Sequence, residues 1–208
     1  MAKGSGGTRG AAGGSGSGSR GSGLQRTLAS FESSVRGLSY ENSAIIDANG
    51  NIIEMSKGEE GRVGYDALLA IGKTVTHNHP SGGSLSQKDI MGAIQSNLTE
   101  VRAVTSSYTF SMKPSKSGWG VENSGQKGIL LNGVRYNGVK LKPTSQMLKV
   151  QKAYKTAQSK VESRIKAYVS SSSDKKAASA RAGSIKWHMV NKEFAKSMGY
   201  TYTATKVK

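Results

Sequence analysis

Thr76-His77-Asn78-His79-Pro80-Ser81-Gly82-Gly83-Ser84-Leu85-Ser86-Gln87-Lys88-Asp89 is the stretch on which the reading of this 208-residue chain turns. His77 and His79 stand two residues apart at the end of a β-branched run, Lys73 to Thr76. On a strand, residues i and i+2 project from one face, so both imidazoles can converge on one point. Pro80 ends the strand because it has no N–H to give the ladder, and Ser81 to Gly83 make a turn. Ser86 then caps a helix running on to about Asn97, with Asp89 at its third position. Two imidazoles and a carboxylate brought together this way form a three-ligand site with a fourth position left for water, which is how catalytic zinc is held.

Plainer readings stand beside this one. Ser86 and Asp89 alone are a capping box with Asp in place of the usual Glu or Gln. His-x-His also occurs in ordinary strands. The letters HNH invite a nuclease reading, but that name describes residues spread over a ββα unit, not a contiguous tripeptide. Against the plain readings, two of the chain's three histidines fall here, joined to Pro, Ser and Asp.

The pattern resembles the JAB/MPN-type metalloproteases with their JAMM motif, in which an upstream glutamate is followed by HxHP, a short loop and SxxD. HNHPSG is especially similar to RadC-type proteins and to JAB domains of phage structural proteins. The resemblance covers about residues 38–120. It implies His77, His79 and Asp89 as zinc ligands, Ser86 as the serine that supports the oxyanion, and Glu41 as the upstream glutamate. One departure is visible: six residues, not the usual seven, separate His79 from Ser86, a shortening that Gly82 and Gly83 can absorb.

Composition bounds the rest. A chain of this length fits one domain with tails. It has no cysteine, so disulfides and thiolate metal sites are excluded. No apolar run reaches the roughly 18 residues of a membrane span, and the N-terminus lacks the apolar core of a signal peptide. The expected location is cytoplasmic, or inside a phage particle assembled there. The net charge of +17 is uneven: residues 139–208 carry sixteen basic and three acidic residues, whereas 24–138 are close to balanced. A field of that kind favours nucleic acid or another acidic surface.

Taken in order, residues 1–23 hold ten Gly and five Ser and read as a disordered tail. Leu24, Leu28, Phe31 and Val35 give one face of a helix. Asn49-Gly50 between two apolar runs, Tyr40 to Asp47 and Asn51 to Met55, is a hairpin signal. Glu41 opens the first of these strands. Glu54, on the second, is the competing base, and Glu41 is preferred. Tyr65 to Ile71 is expected to be helical, Val101 to Ser106 and Tyr108 to Met112 are strands, and Trp119 is a packing anchor in a loop. Ile129 to Leu141 offers two turn candidates, Asn132-Gly133 and Asn137-Gly138, and the alternation of Val134/Tyr136 and Val139/Leu141 reads as a small hairpin about the second.

From Ser145 to Val169 an apolar stripe (Met147, Val150, Tyr154, Ala157, Val161, Ile165, Tyr168) runs beside off-stripe lysines. The bland reading, a surface helix with solvated lysines, is preferred to a basic partner-binding helix. Ser184 is expected to cap a last helix with Trp187, Val190, Phe194 and Met198 on its buried face and Gly199 as its terminus. His188 reads as a surface or capping side chain. Tyr200 to Thr205 has edge-strand composition. The fold class that follows is α+β, a central mixed sheet flanked by helices, and the resemblance implies that it is JAB/MPN-like with cytidine-deaminase-like layering. The domain expected over 24–142 is joined by a basic helical extension, 143–208, packed on it.

The resemblance implies a zinc-dependent hydrolase acting on an amide or isopeptide bond in a protein or peptide. Zn2+ would activate water and polarise the scissile carbonyl, Glu41 would accept the proton, and Ser86 would hydrogen-bond the oxyanion. The rival class is a nucleic-acid-associated or virion structural protein that uses a JAB-like fold as scaffold. No membrane partner is expected.

Overall fold

In a computed structural model, residues 22–59, 61, 63–121, 144–207 and, for backbone only, 135–136 and 139–140 are described. Six strands make one mixed sheet: β1 (Asn42–Ile46), β2 (Ile52–Lys57), β3 (Thr74–Asn78), β4 (Glu100–Val104), β5 (Tyr108–Lys113) and β8 (Thr201–Lys206), in the order β2-β1-β3-β4-β5-β8. Only β3 and β4 run parallel. Between them lies the crossover helix α2 (Gln87–Gln95), as a parallel pair requires. The fold is therefore α+β, with four helices among the described residues.

The period of two along each strand sorts the core into two layers. Ala44, Ile46 and Val104 face α1 (Gly23–Val35), which covers them with Leu28, Phe31 and Val35. Ile45, Val75, Val101, Ala103, Phe110 and Met112 face the other way. They meet α2, α3 (Ser145–Ser171) and α4 (Lys175–Met198) through Ile90, Ile94, Tyr154, Val190 and Phe194. Trp119 is buried there and its indole N–H donates to Leu98 C=O at 2.8 Å, so it is the anchor the sequence implies. The α1 face also buries charge: Arg102 grips both carboxylate oxygens of Glu32 and donates to Glu100 Oε1 at 2.7 Å.

Several expectations hold. The hairpin turns at Asn49-Gly50, and Gly50 has φ +94°, which a glycine adopts without strain. A short antiparallel pair, β6 (Arg135–Tyr136) and β7 (Val139–Lys140), brackets Asn137-Gly138, while the rest of the segment 129–141 lies outside the described residues. Gly199 ends α4 with φ +70°. Tyr200 leads into β8, an edge strand.

Others are corrected. The expected 1–23 tail gives way at its end, since Ser22 caps α1 and Gly23 opens it, packed so closely on the hairpin turn that a Cβ would stand 2.2 Å from Asn49 O. Residues 1–21 lie outside the described residues. Tyr65 to Ile71 forms turns, not a helix: Asp66 Oδ1 takes the N–H groups of Leu68 and Leu69, and Gly72, at φ +67°, stops the chain after one turn. Ser184 caps nothing. It sits inside α4, its hydroxyl bonded to Arg181 C=O, and the cap is Asp174, ten residues earlier. Trp187, expected on the buried face, is 42% exposed, and Asn191 occupies that face instead.

Candidate metal centre

His77 and His79 reach the site by different means. His77 is the fourth residue of β3 and shares its inward face with Val75. His79 lies just past the strand, where its N–H donates to Val104 C=O at 2.8 Å. That bond continues the β3–β4 pairing for one more residue and keeps both rings on one side. Both are buried, and their Nε2 atoms stand 2.8 Å apart.

The third donor comes from the start of α2. Ser86 and Asp89 form the capping box in full: Asp89 N–H donates to Ser86 Oγ at 3.2 Å, and Ser86 N–H to Asp89 Oδ2 at 2.6 Å. The cap fixes the carboxylate, and the same carboxylate faces the histidines, with Oδ1 3.5 Å from His77 Nε2 and Oδ2 3.4 Å from His79 Nε2. The plain capping reading and the ligand reading are thus compatible. The shortened loop is accommodated by a left-handed turn at Gly82, φ +76°.

The donor set fits a small tetrahedral cation. All three ligand atoms lie within 4.8 Å of one another. Zinc–nitrogen bonds of about 2.0–2.1 Å place two tetrahedral donors roughly 3.3 Å apart, close to the two His–Asp separations and within about half an ångström of the His–His one. Outer-shell geometry agrees. His79 Nδ1 stands 3.0 Å from Gly83 C=O, and a carbonyl only accepts, so Nδ1 carries the proton and Nε2 presents its lone pair to the site. Two bare nitrogens at 2.8 Å would repel, so a proton or a metal cation belongs between them.

Electrostatics point the same way. Burial disfavours a charged His79, but the hydrogen bond and charge of Asp89 outweigh it and raise the ring above its usual value. Burial likewise opposes charge on Asp89, yet the two histidines hold it well below the usual carboxylate range.

Glu41 sits immediately before β1, buried, its backbone paired with Gly58 and Glu59. Burial pushes its carboxyl upward, against the pull of His79 and His77, whose charges it feels together with that of Asp89. It therefore lies within electrostatic reach of the histidine pair, while Val63 N–H donates to it. Glu54 is engaged elsewhere: its Oε1 accepts from Ser56 Oγ at 2.9 Å and from Asp66 N–H at 3.2 Å. Ser86 is exposed at the rim, and its hydroxyl, accepting one bond, retains a proton to donate.

Two residues escaped the sequence reading. Asn78, between the histidines, points to the α1 side and is fully buried. Its Oδ1 accepts Asn42 N–H at 2.7 Å and its Nδ2 donates to Tyr40 C=O at 2.9 Å, so it holds both neighbours of Glu41. A polar residue at a strand position that must be buried was the available signal. Asn191 is the second, a polar residue on the apolar stripe of α4. His188 is also more than a surface residue: it is half-buried, with Nδ1 3.1 Å from Tyr202 Oη.

Among the described residues no helix is long and apolar enough to cross a membrane. Searches against family models, curated proteins and solved structures find no match to this chain.

Proposed function

We propose that this chain is a zinc-dependent hydrolase of amide or isopeptide bonds, built on a JAB/MPN-like fold. The observation that carries the reading is the convergence of His77, His79 and Asp89, with Glu41, just before β1, close enough to feel their charges. His77, His79 and Asp89 would hold the ion. When bound, zinc supplies Lewis acidity, for activating water and polarising a carbonyl.

The chain's own residues supply the rest. Glu41, buried and with its proton affinity raised, takes a proton at its carboxylate and returns it to the leaving amine. Ser86 donates its free hydroxyl proton to the developing oxyanion. Gly83 and Asp89's own cap keep His79 and Asp89 in place.

The test pairs metal content with turnover on a panel of peptide and isopeptide substrates. The parent is expected to carry one zinc, and His77→Ala/His79→Ala none. Glu41→Gln should keep zinc and lose about 10²- to 10⁴-fold in rate, while Glu54→Gln stays near parental activity. Equal metal in the parent and the double histidine variant would refute the reading. A dead Glu54 variant beside an active Glu41 variant would reassign the base.

A second reading concerns the basic third, and one observation favours it. Glu162 is taken by Lys186, Glu193 by Lys160 and Arg164, and Asp174 caps α4. Among the described residues of α3, α4 and β8 no other carboxylate remains to neutralise the exposed Lys149, Lys152, Lys155 and Lys166. Such a surface fits nucleic-acid phosphates, and the two roles are compatible. Binding should fall steeply with salt, be indifferent to sequence and survive chelation.

A further inference from the structure

Two of the three proposed ligands take their outer hydrogen-bond partner from one four-residue loop. Gly83 C=O fixes His79 Nδ1, and Ser86 N–H fixes Asp89 Oδ2. The two residues between them, Ser84 and Leu85, are buried and are held from across the core. Asn191, on α4, donates from Nδ2 to Ser84 Oγ at 2.9 Å and to Leu85 C=O at 2.7 Å. Its Oδ1 accepts from Tyr154 Oη at 3.3 Å, and Ser84 Oγ has a further partner in Tyr202 Oη at 2.9 Å.

Asn191 has no exposed surface. Burying an amide is unfavourable unless every donor and acceptor is matched, and here both N–H groups and the carbonyl oxygen are used. A leucine at this place on the stripe would complete an apolar face without that demand. What the amide adds is a fixed position for residues 84 and 85, and the peptide units on either side of them are the two that orient the ligands.

We propose that Asn191 is a positioning residue of the metal centre: through Ser84 and Leu85 it sets the Gly83 carbonyl and the Ser86 amide, and so aims His79 and Asp89. This rests on the zinc reading above. The site is then completed by a side chain lying more than a hundred residues beyond the ligand motif, in the basic third of the chain.

The test uses the full chain with Asn191→Asp, Asn191→Leu and Ser84→Ala. Asp keeps the shape and the acceptor for Tyr154 but has neither donor, so it separates hydrogen bonding from packing. Zinc affinity is measured by competition with a chromophoric chelator, and ligand geometry by the visible spectrum of the Co2+-loaded protein. Leu28→Ala, a core change in α1 within the apolar cluster on the other side of the sheet, serves as the stability control. Both Asn191 variants are expected to bind zinc about ten- to a hundred-fold more weakly, the range for lost outer-shell partners, with an altered Co2+ spectrum. Ser84→Ala should fall between them and the parent, and Leu28→Ala should lose melting temperature but not affinity. Should Asn191→Leu fail to fold, Asn191→Asp and Ser84→Ala decide the matter. Parental affinity and spectrum in folded Asn191→Asp would overturn the proposal, as would a loss of affinity in Leu28→Ala matching its loss of stability. A parent that binds no zinc overturns the zinc reading itself, and this inference with it.

Discussion

Protonation of His79 and Asp89 governs the centre at the level of single residues. Each stabilises the charged form of the other, so their joint contribution to the metal-free fold has two edges. His79, raised, contributes fully below the ordinary histidine value of 6.5 and loses its contribution as pH rises through the higher folded value. Asp89, lowered, contributes above the ordinary carboxylate value of 3.8 and loses it as pH falls through the depressed one. Under the proposed function, zinc would reverse the first edge, because it must displace the proton. The zinc-induced rise in melting temperature should therefore grow with pH through about 6 to 8, followed by thermal melts with and without chelator. A rise that is flat or shrinking over that range would exclude His79 as a ligand. Legibility at this scale divides cleanly. His77, His79, Ser86 and Asp89 fall within one short run whose spacing alone brings them together, and Glu41 was reached through the resemblance. Asn78 and Asn191 were missed because their partners lie in other segments, which no local pattern names.

Elements are coupled by polar contacts as well as apolar ones. Arg102 on β4 ties Glu32 of α1 to Glu100, which also bonds Ser111 Oγ at 2.5 Å, and both glutamates are buried. Removing Arg102 leaves Glu100 with Lys113 at 3.3 Å and Glu32 with Arg36 at 4.0 Å, so Arg102→Leu should cost about 3 kcal/mol in denaturant unfolding, the low end of the range for a broken buried pair. Replacing Arg102, Glu32 and Glu100 together with apolar residues should cost far less, since such a cluster can be matched by good packing. A mild Arg102→Leu would mean that Arg36 and Lys113 suffice for the two carboxylates. Elements with a clean period were readable: α1, the hairpin, α2 and α3 stand close to where their apolar spacing puts them. Tyr65 to Ile71 was not, because Asp66 spends its carboxylate on the local backbone before a helix can propagate. Nor was the start of α4. Residues 175–184 show the core only Ala178 and Ala182, too small a face for an apolar-period reading to register.

At the scale of the whole molecule, the basic third is built into the core. Val190 and Phe194 lie in the same cluster as Val75 and Ile90, and β8 supplies the sixth strand. Ending the chain after residue 174 should therefore leave an aggregating or unfolded product, whereas removing residues 1–21 should leave the melting temperature unchanged. A soluble, cooperatively melting fragment would show that α4 and β8 are dispensable. Charge pointed toward an appendage in this region because lysines dominate its composition. The buried minority of its residues, spaced along α3 and α4, does the packing, and composition does not see spacing.

The pairing of β8 with β5 also has a history in time. Tyr108 lies against Lys206, so almost a hundred residues separate the partners. A ribosome delivers the first five strands well before the sixth. Until then β5 is a raw edge, paired with β4 on one side only, and Phe110 and Met112 lack the cover that α4 brings. The nascent chain thus passes through a sticky stage that slow, long-range closure prolongs. Slower translation of the last helix would lengthen that exposure, and chaperone demand in the cell would follow the speed of synthesis more than the stability of the finished fold.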